Sequence, residues 1–157
     1  VTVFTVVRGF VTGLALGGAL VTGCARAPVL SESERQMRAD TLRVLDDGAK
    51  SLGAPGAKPV VLSDTIQRCA DGKAKRVFRG RIDLRRGGST AVTLDHATDV
   101  TLEMISERGY RLERPPKPGG RTFTMARDLP AVQLTVQLHG GRQPVFVLDG
   151  TTPCLPT

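Results

Sequence analysis

"AVQLTVQLHGGRQPVFVLDG", residues 131–150, is the stretch that decides the fold. Val132, Leu134, Val136 and Leu138 alternate with Gln133, Thr135, Gln137 and His139. Successive side chains of an extended chain point to opposite faces, so this is a strand with one apolar and one polar face. Gly140-Gly141 then turns the chain into a second apolar run, "PVFVLDG", as a hairpin. A sheet that is apolar on one face must bury that face under another layer.

The rest of the chain supplies both sheet and layer. "RVFRGRIDLRR" (76–86) alternates in the same way: Phe78, Ile82 and Leu84 point one way, Arg79, Arg81, Asp83 and Arg85 the other. "PVVLSDTIQRC" (59–69) precedes it as a strand, with Asp71-Gly72 as the turn between them. "TFTMARDL" (122–129) is a fifth strand, "YRLER" (110–114) reads as a further short one, and "PPKPGGR" (115–121) is a loop. "SESERQMRADTLRVLDDGAKSLGA" (31–54) predicts a helix capped by Ser31 or Ser33. Its buried stripe is Met37, Thr41, Val44, Leu45, Gly48 and Leu52. "HATDVTLEMISERGY" (96–110) predicts a second helix, capped by Asp95 or Thr98, burying Val100, Met104 and Ile105 and ending at Gly109. Residues 89–95 read as a short extended piece, and a strand over 91–102 stands as the alternative to the helix. The expectation is an α+β two-layer sandwich: an antiparallel sheet of about five strands with two helices on one face, in a single domain over 32–157.

The totals set bounds. The 157 residues carry a net charge of +7, with 17 Arg, five Lys and no Asn. Arg-rich, Asn-free usage follows from a GC-rich genome, so it is discounted as a signal of function. The cations are spread along the chain rather than massed in a tail, which reads first as a solvated basic surface. With five Phe, one Tyr and no Trp, there is little for nucleic-acid bases to stack on. Nucleic acid is therefore not an expected partner.

The N-terminal stretch is different in kind. Arg8 is followed by an uncharged run from Gly9 to Ala25, shorter than a bilayer span and rich in glycine. A positive flank, an apolar middle and small residues form a signal-peptide pattern. Val21-Thr22-Gly23-Cys24 ends it and resembles the lipobox of bacterial lipoproteins. That resemblance implies a diacylglyceryl group on the Cys24 thiol and cleavage between Gly23 and Cys24. It implies a signal peptide over 1–23 and a lipidated cysteine with a short tether over 24–31. Two acyl chains hold a protein on a membrane where one does not. The expected location is the extracytoplasmic side of the cell membrane, with the domain close to the lipid.

Cys69 and Cys154 remain. In an exported domain two leftover thiols most often pair, closing about 85 residues. Metal binding is the weaker reading, because there is no CxxC and His96 and His139 stand alone. No cofactor is called for.

Sites for chemistry are sparse. HExxH, a Walker loop, GxSxG and the dinucleotide fingerprint are all missing from the sequence. Asp95, His96 and Asp99 are the one grouping that a hydrolase could use, although a helix-capping neighbourhood explains these acids as well. Arg79, Arg81 and Arg85, on the polar strand face, are candidates for contact with anionic lipid headgroups or an acidic envelope partner; an ordinary polar sheet face is the plainer reading.

As a whole the chain resembles small actinobacterial lipoproteins, of which the mycobacterial LppA-type proteins are examples. The resemblance rests on Val21-Thr22-Gly23-Cys24, the amphipathic helix after it, Arg68-Cys69 at the end of the first strand and Thr152-Pro153-Cys154 near the C-terminus. It implies a membrane-anchored binding or interaction module without an assigned reaction, or a structural subunit of an envelope complex. It carries no catalytic residues.

Overall fold

A computed structural model describes residues 29–157. The signal-peptide reading, Val21, Thr22 and Gly23 before the cut, and Cys24 itself lie outside these residues. Two helices and seven strands follow one another: α1 (Leu30–Leu52), β1 (Val60–Arg68), β2 (Lys73–Asp83), α2 (Thr90–Ser106), β3 (Arg111–Arg114), β4 (Thr122–Arg127), β5 (Val132–His139), β6 (Val145–Thr151) and β7 (Leu155–Pro156).

The strands form one sheet in the order β1-β2-β6-β5-β4-β3, and every neighbouring pair is antiparallel. The architecture is the expected α+β sandwich, with seven strands instead of about five. The two additions are the short pieces: "YRLER" is a true edge strand, and Leu155–Pro156 pairs with Lys73–Ala74. The first was read from the sequence; the second, two residues long, is too short for periodicity to reveal.

The 131–150 hairpin forms with the expected faces. Val132, Leu134, Val136 and Leu138 are buried, and Phe146 and Leu148 join them from β6. Phe78 and Ile82 on β2, with Leu84 just after it, lie in the same core. Against them pack Met37, Val44, Leu45 and Leu52 from α1, and Leu94, Ala97, Met104 and Ile105 from α2. Helix α1 runs close over β2 because residue 80 is glycine: a Cβ there would collide with Leu45. Gly150 makes the same allowance for Thr41, whose Cγ2 would lie 2.8 Å from an added Cβ.

Both helix starts differ from expectation. Helix α1 begins at Leu30, without a side-chain cap. Leu30 is buried against Ala74 and Leu155, so an apolar anchor, not Ser31 or Ser33, fixes the first turn. Helix α2 begins at Thr90, and the Ser89 side chain accepts from the Val92 N–H. Residues 89–95, expected to be extended, are the cap and first turns of α2. Thr93 and Thr98 look strand-like by type, but the Thr98 hydroxyl donates to the Leu94 carbonyl inside the helix.

The course of the chain gives the domain two poles. At one lie the start of α1, the β1–β2 hairpin and β7. At the other lie the end of α1, the start of α2 and the β5–β6 turn, reached through Leu84, whose N–H donates to Pro144 O, and Arg85, whose N–H donates to Leu52 O.

Candidate functional site

The outer face of the sheet has no covering element among the described residues. Register places Val77, Arg79, Arg81 and Asp83 of β2 opposite Thr151, Asp149, Val147 and Val145 of β6. The arginine row expected here is therefore largely neutralised. Arg79 pairs with Asp149 at 3.3 Å and Arg81 with Asp83 at 3.2 Å. Arg85 lies beyond the end of β2 and lines a cleft at the far pole instead of the sheet face. His139 is exposed on the outer face at the end of β5, as its place in the alternation predicts.

Two ion networks fasten the helices to the sheet. In the first, Asp64 on β1 receives the Arg76 guanidinium, with Nε at 2.5 Å and Nη2 at 2.8 Å. Arg38 of α1 also reaches Asp64, and Glu34 of α1 pairs with Arg76. Arg76 holds the Asp64 carboxyl below the ordinary carboxylate range, against the opposing effect of partial burial. A carboxylate whose proton affinity drops on folding stabilises the fold above its unfolded pKa, near 3.8, and loses that contribution as pH falls through its folded value. Thermal melts on an acid series should therefore fall in Tm below about pH 4, and Asp64→Asn should flatten that fall. An unchanged acid slope in Asp64→Asn would contradict this assignment.

The second network is buried. Asp40 of α1, 3% exposed, accepts from Tyr110 Oη at 2.8 Å, Arg127 Nη2 at 2.9 Å and Gln36 Nε2 at 2.9 Å. The Arg127 guanidinium also stacks over the Tyr110 ring, 4.7 Å from its centroid, and donates to the Arg108 carbonyl. Burial, followed by the Asp40 charge, pushes the Tyr110 hydroxyl far above its usual range, so it stays a donor. The result is one clamp joining α1, β4 and the α2–β3 connection. Nothing in the spacing of Asp40, Tyr110 and Arg127 announces it.

Cys69 and Cys154 form a disulfide, with Cα atoms 6.1 Å apart. It ties the β1–β2 hairpin to the segment joining β6 and β7, beside the start of α1. The pairing expected from sequence is thus present.

The far pole carries two adjoining clefts. One, of about 240 Å³, is walled by Leu52, Leu84, Val92 and Ala97, with Ser51, Arg85, Thr93 and His96 at its margin. The other, of about 180 Å³, is bordered by Arg86, Gly88, Thr90, Gly141 and Arg142. Thr93 lines both, and its hydroxyl donates to the Gly87 carbonyl and accepts from the Gly87 N–H between them. Sequence reading missed this arrangement. Two Arg/Gly-Gly stretches, "RRGGST" (85–90) and "GGR" (140–142), were visible, but only tertiary structure brings them together.

The acid–histidine grouping does not assemble into a dyad. His96 is exposed at the cleft margin and forms no hydrogen bond to Asp95 or Asp99. Asp95 pairs with Arg121. Among the described residues no three His, Cys, Asp or Glu side chains gather as metal ligands, and no helix is long and apolar enough to cross a membrane. No protein-family model, curated protein or solved structure matches the chain.

Proposed function

We propose that this chain is a membrane-anchored extracytoplasmic lipoprotein, acylated at Cys24, whose domain is a non-enzymatic binding module of the cell envelope. The observation that carries the reading is the order of parts along the chain: an uncharged apolar run, Val21-Thr22-Gly23-Cys24, and then a packed helix that begins at Leu30. Five residues separate Cys24 from Leu30, a reach of about 20 Å at full extension. The first pole of the domain would thus lie against the headgroups, and the far pole would face away. The disulfide supports an oxidising compartment, and Cys24 is the one cysteine of the sequence outside that pair.

The same reading places any anionic-lipid contact nearer the anchor than Arg79 and Arg81. Arg68 and Lys73, exposed on the β1–β2 hairpin, form no ion pair among the described residues and stand at the anchored pole. Each basic residue near such a surface contributes about 1 kcal/mol. Fractionation of the native host tests the anchor. Wild type is expected in the membrane fraction with an incorporated fatty-acid label, and Cys24→Ser without that label. Equal labelling of Cys24→Ser and wild type would overturn the proposal.

A further inference from the structure

We infer that the far pole binds an anionic amphiphile: a phosphate-type head between Arg86 and Arg142, with an apolar tail in the cleft of Leu52, Leu84, Val92 and Ala97. The inference rests on the binding-module half of the reading above and is independent of the anchor.

Charge carries the first part. Eight arginines of the described domain have carboxylate partners: Arg38, Arg76, Arg79, Arg81, Arg108, Arg111, Arg121 and Arg127. Seven have none among the described residues; Arg35, Arg43, Arg68 and Arg114 lie on α1, β1 and β3, whereas Arg85, Arg86 and Arg142 all border the two adjoining clefts. On the flanking elements Asp83 is engaged by Arg81 and Asp95 by Arg121, and Asp99 and Glu103 of α2 line neither cleft. The first turn of α2 holds no acidic side chain. Arginines that border one cleft without an internal counter-ion are suited to a multidentate anion such as phosphate.

Shape carries the second part. The neighbouring cleft is the more apolar of the two, and one of its walls, Val92, is 61% exposed. An exposed valine beside Leu52, Leu84 and Ala97 gains by being covered with hydrocarbon. Because Thr93 borders both clefts, a single ligand can span them. Concave apolar surface next to a few convergent polar groups is the general form of a small-ligand site. Inorganic phosphate would use only the charged cleft, and a neutral alcohol only the apolar one.

The test follows the amide signals of Gly87, Gly88 and Gly141 in the full chain, disulfide intact, during titration with octyl phosphate, inorganic phosphate and octanol. Octyl phosphate should bind about tenfold or more tighter than inorganic phosphate. Arg86→Ala/Arg142→Ala should weaken octyl phosphate by about tenfold or more. Val92→Asp should remove the advantage of the octyl chain. Arg35→Ala/Arg43→Ala, on exposed α1 positions, should change nothing. Arg86 and Arg142 are exposed and make no side-chain hydrogen bond or ion pair among the described residues, so their double variant should melt as wild type does. Equal affinity for octyl phosphate in wild type and Arg86→Ala/Arg142→Ala, or no saturable shift with any probe, would overturn the site. Inorganic phosphate binding as tightly as octyl phosphate would overturn the amphiphile. The Cys24→Ser fractionation is unaffected by either result, so failure of the site and failure of the anchor are separable.

Discussion

Asp40→Ala should lower the stability of the domain by about 3–5 kcal/mol. The carboxylate is the shared acceptor of Tyr110, Arg127 and Gln36. Its removal leaves the partly buried Arg127 guanidinium without a counter-charge, and Arg127 Nε already lacks a partner. It also strands the buried Tyr110 hydroxyl. Loss of one member of a buried ion pair costs more than loss of both, because the remaining charge is left uncompensated. Tyr110→Phe, which removes one neutral donor, should therefore cost only about 1–2 kcal/mol. Urea unfolding of the three proteins measures the difference. Equal midpoints for Asp40→Ala and Tyr110→Phe would show that the clamp does not hold α1 to the sheet.

Opening the Cys69–Cys154 bridge should cost a comparable amount. The bond closes a loop of 85 residues, for which chain entropy gives about 4–5 kcal/mol. The loss should also be local in character. Beyond Thr151 the C-terminal segment is held by Thr152, which bonds Arg76 through both backbone and side chain, and by the two-residue pairing of β7. Without the bridge, Leu155 should leave Ala74 and Leu30, and the first turn of α1 should fray with it. Cys69→Ser/Cys154→Ser should unfold at a lower urea concentration and show fast amide exchange in residues 30–34 and 154–157. Wild-type exchange at Leu30 in that variant would separate the bridge from the helix start.

Much of this architecture was legible because burial follows period. Val132 to Leu138 and Phe78 to Ile82 alternate, and Met37 to Leu52 recur at helical spacing, so each buried face could be read directly. The disulfide was legible for a different reason: once Cys24 is set aside, two cysteines allow one pairing. The start of α2 was not legible, because Val92, Thr93 and Thr98 favour strands by type, and only packing of Leu94 and Ala97 into the core decides for helix. The start of α1 depends on Leu30 meeting Leu155, a contact 125 positions away in the chain.

The candidate sites divide along the same line. Arg79 and Arg81 were correctly placed on the polar face, yet their neutralisation by Asp149 and Asp83 depends on strand register and side-chain reach. Arg85 continued the alternation on paper but lies past the end of β2, where the chain bends towards Leu52. Arg86 and Arg142 are separated by 56 positions, and only the hairpin turn packed beside α2 makes them neighbours across a cleft.

An intact mass of the protein extracted from the membranes of its native host tests the proposed lipid anchor and the disulfide together. The expected mass is that of a chain beginning at Cys24, heavier by a diacylglyceryl group and lighter by two hydrogens for the Cys69–Cys154 bond. An unlipidated mass that retains residues 1–23 and three free thiols would contradict both.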